Sequence, residues 1–140
     1  MPGKNYTIYL GVGNHLDSTA YYCCYIKIRN QTEPSANETI SSMLTPVYTY
    51  RTILKNGAAC AVPLTFSFSD VSFSSDQSIL ETLTINNVQV NLTKKALFDK
   101  DNNGYYYQMF VELWAFNPES RISEYQQRLV YFWLNATSSA

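Results

Sequence analysis

The sequence predicts one all-β domain, a two-sheet antiparallel β-sandwich of seven to nine strands. Three observations carry that prediction. Apolar side chains recur at every second residue, the period of a strand with one buried face. Aromatic residues reach 15 %, with twelve tyrosines, seven phenylalanines and two tryptophans, and such side chains suit a pleated, half-buried surface. Gly, Asn and Pro interrupt the apolar runs at short intervals, while no segment sustains a helical period. At 140 residues the chain has the size of a single domain, residues 1–140, and can bury a core. It shows no internal repeat, which argues against a propeller or solenoid.

Residues 7–12 alternate, with Ile8, Leu10 and Val12 on one face, and Gly13-Asn14 follows as a turn signal. Residues 20–29 alternate again. Tyr22, Cys24, Ile26 and Ile28 point one way, and Tyr21, Cys23, Tyr25, Lys27 and Arg29 the other, so one face is expected in the core and one in solvent. Residues 30–46 are polar and contain Pro34 and Pro46; a long surface loop is expected, with room for a short turn of helix. Residues 47–54 read as a strand ended by Lys55-Asn56-Gly57, a hairpin-type turn.

Cys60, Val62, Leu64, Phe66 and Phe68 form the strictest alternation, extended by Val71 and Phe73. Pro63 lacks a ladder donor, so either this strand has a free edge there or Pro63 points its missing N–H outward. Residues 83–85 and 88–90 flank Asn86-Asn87, a tight two-residue hairpin. Residues 105–116 and 125–134 are strands with large apolar side chains on both faces.

Charged residues make up only 15 %, against roughly 25 % in typical soluble domains. Ser, Thr and Asn take over solvation, a balance common on extracellular β-domains. The formal net charge of −1 offers no footprint for nucleic acid or an anionic membrane. No run of about 18 apolar residues is present, so membrane attachment is expected only through a segment outside this chain. The opening Met1-Pro2-Gly3-Lys4 lacks a signal-peptide pattern, which leaves room for a targeting or anchoring segment before it.

N-x-[ST] sequons occur at Asn5, Asn30, Asn37, Asn91 and Asn135. They point to a glycosylated surface, or only to an Asn- and Thr-rich composition; Asn30 and Asn37, in the polar loop, are the best candidates. Cys23 and Cys24 are strand neighbours and face opposite ways. Cys24 shares its face with Ile26, and Cys60 with Val62. A Cys24–Cys60 bridge across the sandwich therefore stands beside the favoured reading of buried free thiols. Three cysteines and one histidine do not supply a zinc site.

Asp99-Lys100-Asp101-Asn102-Asn103-Gly104 matches the first half of a calcium loop, with ligand oxygens at Asp99, Asp101 and Asn103 and Gly104 for the sharp turn. Phe110 stands where the bidentate Glu belongs, so a plain polar turn is the favoured alternative. No other cofactor is expected. His15 is the only histidine, the carboxylates are scattered, and no nucleophile–base set or phosphate loop is evident. The expectation is that the protein is not an enzyme.

Tyr106, Phe110 and Trp114, with Tyr131 and Trp133 on the last strand, form a candidate aromatic face. It could bind another protein or a carbohydrate, or lie covered by long loops.

Several stretches together resemble the soluble domain of an uncharacterised archaeal membrane-protein family, the domain of unknown function 1616 group. They are Gly11-Val12-Gly13-Asn14-His15-Leu16, Val62-Pro63-Leu64-Thr65-Phe66-Ser67-Phe68, Gly104-Tyr105-Tyr106-Tyr107-Gln108 through Glu112-Leu113-Trp114, and Tyr125-Gln126-Gln127-Arg128-Leu129-Val130-Tyr131-Phe132-Trp133-Leu134-Asn135. The resemblance spans most of the chain. It implies an immunoglobulin-like sandwich on the outer face of the cell membrane, often behind transmembrane helices, and it transfers no catalytic residue. The expected function is a non-catalytic module making protein–protein or cell-surface contacts, with self-association open. The alternative is a carbohydrate-binding module that uses the aromatic face, with or without calcium.

Overall fold

A computed structural model describes residues 3–136. They form eight antiparallel strands: β1 (Tyr6–Gly13), β2 (Ala20–Asn30), β3 (Tyr48–Leu54), β4 (Ala59–Ser74), β5 (Gln77–Ile85), β6 (Val88–Asp99), β7 (Gly104–Asn117) and β8 (Ile122–Asn135). The fold is all-β, and no helix occurs among the described residues. Residues 31–47 form the long loop that the sequence predicts, with bends and no turn of helix.

A single hydrogen-bonded path runs β1-β4-β5-β6-β7-β2-β3, with β8 on β7. The path has one thin point. β6 and β7 are paired only at Phe98↔Tyr105 and Asp99↔Gly104, whereas β7 and β8 pair along most of their length. The strands thus fall into two blocks, β1-β4-β5-β6 and β3-β2-β7-β8.

One hydrophobic core draws on both blocks. Leu64, Phe66, Phe68, Leu80, Leu83 and Ile85 come from the first, and Tyr22, Cys24, Ile26, Ile28, Tyr107 and Met109 from the second. Of these, Leu64, Phe66 and Phe68 on β4 and Tyr22, Cys24, Ile26 and Ile28 on β2 are the sets that the period-two pattern grouped on one face. Full burial of each large side chain stabilises by about 1.5–3 kcal/mol before entropy is subtracted. Phe68 meets Tyr107 edge-on at 5.7 Å, and Phe66 meets Phe132 at 5.8 Å. The Tyr107 hydroxyl is satisfied inside the core, 2.9 Å from the Ser78 hydroxyl and donating to the Lys94 carbonyl at 3.0 Å.

The Asn86-Asn87 hairpin forms as expected. Both residues have positive φ, 47° and 65°, which a two-residue type I′ turn demands and asparagine tolerates. Pro63 sits where β4 is paired with β1 alone, because the β5 ladder begins only at Phe66↔Ile85.

Lys55-Asn56-Gly57 departs from expectation. It reverses the chain with Gly57 at φ 78°, yet β3 pairs with β2 while β4 pairs with β1 and β5. The turn carries the chain from one block to the other and makes no hairpin. Turn chemistry encodes a reversal and is silent about which strand lies alongside.

That crossing is stitched to the β1–β2 crossing by Asn14, which is fully buried. Its amide nitrogen donates to the carbonyls of Ser18 and Leu54, both at 2.8 Å. Its side-chain oxygen accepts from the Leu16 N–H at 3.0 Å and the Tyr22 hydroxyl at 2.9 Å. Its backbone N–H donates to Ala58 and its carbonyl accepts from Gly57, both at 2.9 Å. A residue that reads as turn punctuation is a saturated polar hub.

Candidate functional site

The outer face of the second block collects the aromatic residues that the sequence singles out. In register, Gln108 lies beside Trp133, Phe110 beside Tyr131, and Trp114 beside Tyr125. On the other side of β7, Arg29 lies beside Gln108, Lys27 beside Phe110, and Cys23 beside Trp114. Strand alternation therefore puts Tyr106, Phe110, Trp114, Tyr131 and Trp133 on one face, as predicted.

The chain then covers much of that face with its own residues 31–47. Glu112 is wholly buried and Lys27 nearly so, and their side chains pair at 2.7 Å. The second Glu112 oxygen accepts the Ser42 N–H at 2.6 Å, and the Lys27 ammonium donates to the Ser42 carbonyl at 2.7 Å. Ser42 is thus clamped on both sides of its backbone. Arg29 donates from Nε to Gln108 and from Nη1 to the carbonyls of Asn30 and Glu33. Its guanidinium lies 5.1 Å from the Trp133 ring centre. Burial lowers the Arg29 pKa, with the Glu33 carboxylate acting the other way. The Tyr125 hydroxyl holds the Asn37 carbonyl at 2.8 Å. Buried charges are tolerable here because each has an opposite charge or several oxygens around it.

This strap corrects the reading of β2. Lys27 and Arg29, placed in solvent by alternation, are buried, so this half of β2 is covered on both faces; Cys23 is buried as well, while Tyr21 on the same face stays exposed. It also divides the aromatic set. Phe110 is fully buried, Tyr106 and Trp114 are half-buried, and the Trp114 indole N–H reaches Glu112 at 3.4 Å. Tyr131 and Trp133 remain exposed, to 59 % and 42 %, and Val130 on the other face of β8 is exposed to 56 %. Since β7 is the strand beside β8, the open aromatic surface sits on a sheet edge. Beside it is a cleft of about 340 Å³ lined by Gln31, Asn102, Tyr106 and Trp133.

Asp99, Asp101 and Asn103 lie in the β6–β7 turn. The Asp99 carboxylate accepts from the backbone N–H groups of Asp101 and Asn102 and from the side-chain amides of Asn102 and Gln31. These bonds, the Asn102 side chain first, lower its pKa from the ordinary value. Asn103 takes positive φ, 53°. The carboxylate faces N–H donors, the arrangement of an Asx turn. Among the described residues no group of three or more His, Cys, Asp or Glu converges.

Cys23, Cys24 and Cys60 are free thiols. Cys24 lies in the core, and burial first, then the neighbouring thiols of Cys60 and Cys23, push it up to about 11. His15 is exposed just beyond β1, in a shallow cleft with Tyr22, Gln126 and Arg128. Of the sequon asparagines, Asn5, Asn37 and Asn91 are exposed, and Asn30 and Asn135 are half-buried.

Sequence reasoning missed Lys27, Glu112 and Asn14. A signal for the ion pair existed: one cation inside Ile26-Lys27-Ile28 and one anion inside Val111-Glu112-Leu113. A lone charge in the middle of an apolar strand calls for an opposite partner.

No protein-family model, curated protein or solved structure matches the chain.

Proposed function

We propose that this chain is a non-catalytic recognition module on the outer face of the cell membrane, meeting a protein partner through β8. The observation that carries the reading is the exposure of Tyr131, Trp133 and Val130 on an edge strand, on a molecule that elsewhere covers its aromatic face with its own chain. Tyr and Trp are the residues on which protein interfaces concentrate binding energy, and an open strand edge can take a partner strand. Outer-surface placement is supported by the low charge content, the sequons and the resemblance to the domain of unknown function 1616 group.

On this reading the two blocks are the layers of a β-sandwich, supported by the core they share and by the thin β6–β7 link. The likeness to the immunoglobulin fold would lie in the layering. The strand orders, β1-β4-β5-β6 and β3-β2-β7-β8, differ from the ABED and CFG orders of that fold.

The cleft favours a second reading, carbohydrate binding. An aromatic wall of Tyr106 and Trp133 with the amides of Gln31 and Asn102 is suited to a sugar ring and its hydroxyls. One experiment separates the two. Labelled protein is bound to intact cells of the source organism after protease treatment or after periodate oxidation of surface glycans. Loss of binding with protease alone supports the protein partner, and loss with periodate alone supports the glycan. Binding that survives Tyr131→Ala with Trp133→Ala would sink the β8 reading.

A further inference from the structure

We infer that the five sequons divide into two chemical classes: Asn5, Asn37 and Asn91 as N-glycan acceptors, and Asn30 and Asn135 as structural amides that stay unmodified. Its biological setting rests on the outer-surface reading above.

The acceptor atom is the side-chain nitrogen Nδ2. It attacks the anomeric carbon of an oligosaccharide carried on a lipid pyrophosphate. The N–C bond forms, the carbon–oxygen bond to pyrophosphate breaks, the lipid pyrophosphate leaves, and Nδ2 gives one proton to a base of the transferase. The product must then fold with a bulky sugar on that nitrogen.

At Asn30 the nitrogen is in use. Nδ2 donates to the Lys95 carbonyl of β6 at 2.9 Å, joining the end of β2 to the other block. Its Oδ1 accepts from the Thr32 N–H at 3.0 Å, the Thr32 hydroxyl at 2.9 Å and the Glu33 N–H at 2.9 Å. A sugar on this nitrogen would crowd the Lys95 carbonyl and the Glu33–Lys94 ion pair at 2.6 Å.

At Asn135 the side chain lies against Gly104, so near that a Cβ at residue 104 would overlap its amide. Its Oδ1 accepts the Tyr105 N–H at 3.0 Å, and the next residue, Ala136, donates to the Tyr105 carbonyl at 2.8 Å. Both ends of the amide are packed into the β7–β8 end. The third residue of this sequon, Thr137, lies outside the described residues.

Asn37 is the reverse case. It is exposed on the strap, and its Oδ1 accepts the N–H groups of Thr39 at 2.7 Å and Ile40 at 3.3 Å. The oxygen is pinned and Nδ2 has no hydrogen-bond partner among the described residues. Asn91 projects from the exposed outer face of β6, with only its Oδ1 engaged, by the Thr82 hydroxyl at 3.4 Å. Asn5 is exposed just before β1.

The test is secretion of the full chain behind a signal peptide from a eukaryotic host, with site occupancy read by peptide mass spectrometry on the folded fraction. Expected are glycans at Asn37, Asn91 and Asn5, and none beyond traces at Asn30 and Asn135. Thr39→Ala, which destroys the sequon at an exposed hydroxyl, should remove one glycan mass and leave the melting temperature unchanged. Asn30→Gln should remove no glycan and lower the melting temperature. Glycan on most folded chains at Asn30 or Asn135 overturns the assignment, as does a bare Asn37 in a host that glycosylates a control protein. The predicted occupancy on secreted protein, with none on protein from the source organism, would support the assignment and sink the outer-surface reading.

Discussion

The two blocks turn very different faces away from their common core. On the β1-β4-β5-β6 side many outward residues are short and polar and bond to each other across strands, Thr7 with Thr65, Ser69 with Thr84, Thr82 with Asn91, and Thr93 with Glu81, while Tyr9 stands exposed among them. On the β3-β2-β7-β8 side they are long, aromatic or charged, and residues 31–47 lie over them. Hydroxyl pairs in water satisfy themselves and need no cover. An aromatic ring beside a lysine and a glutamate does need it, because in the open these groups would gain neither burial nor a strong ion pair. Cover thins at β8, where Tyr131 and Trp133 of the aromatic face stay exposed.

The covered face depends most on the buried Lys27–Glu112 pair. Glu112→Ala leaves Lys27 buried without its counter-charge, which typically costs about 3–5 kcal/mol. Urea unfolding should show that loss, and limited proteolysis should begin to cut within residues 31–46. Lys27→Met combined with Glu112→Leu should recover most of the stability. A Glu112→Ala protein with unchanged stability would mean that the strap does no structural work.

Asn14→Ala acts on both blocks at once. It strands the carbonyls of Ser18 and Leu54 and the Tyr22 hydroxyl; with roughly 1–3 kcal/mol for each orphaned group, a loss above about 2 kcal/mol is expected. It should add to the Glu112→Ala loss, because the two sites share no partner.

The shared core should titrate without reference to either face. Cys24 is held up to about 11 from an ordinary 9.0. The unfolded chain releases this proton first, so stability is unaffected below about pH 9 and falls as pH climbs toward 11. Urea midpoints across that range should show the decline, and Cys24→Ala should flatten it in part, since burial also raises the pKa of Tyr107.

Trp133→Ala should cost little stability, about 1 kcal/mol, through lost stacking of Arg29, while abolishing cell binding. Thr65→Val, on the self-sufficient face, should stay within about 0.5 kcal/mol by thermal melts.

The strands were readable because alternation is a local property. Ile8-Leu10-Val12 and Cys60 through Phe68 reported their buried face directly, and Asn86-Asn87 reported its turn. Neighbour choice was not readable: Lys55-Asn56-Gly57 looks the same whether it closes a hairpin or crosses between blocks. The aromatic set was found on one face, but its partial burial was not foreseen, because the cover is bonded through the Ser42 backbone to residues up to 70 positions away. Such bonds are written in backbone atoms, which every residue has, so the loop reads only as polar. The engagement of the Asn30 amide was hidden for the same reason, since it bonds to the Lys95 carbonyl, 65 positions on.

The Asn14 corner also sets a timescale. Its bond to Leu54 closes a span of 40 residues, an entropic cost that local hairpins such as β5–β6 do not bear. The corner is therefore expected to close late, after the blocks have met. Contacts made late leave the folding rate nearly unchanged and slow unfolding. The asparagine that ties the two crossings together is then a latch: it has little to do with how quickly the chain reaches its fold, and much to do with how long the chain stays there.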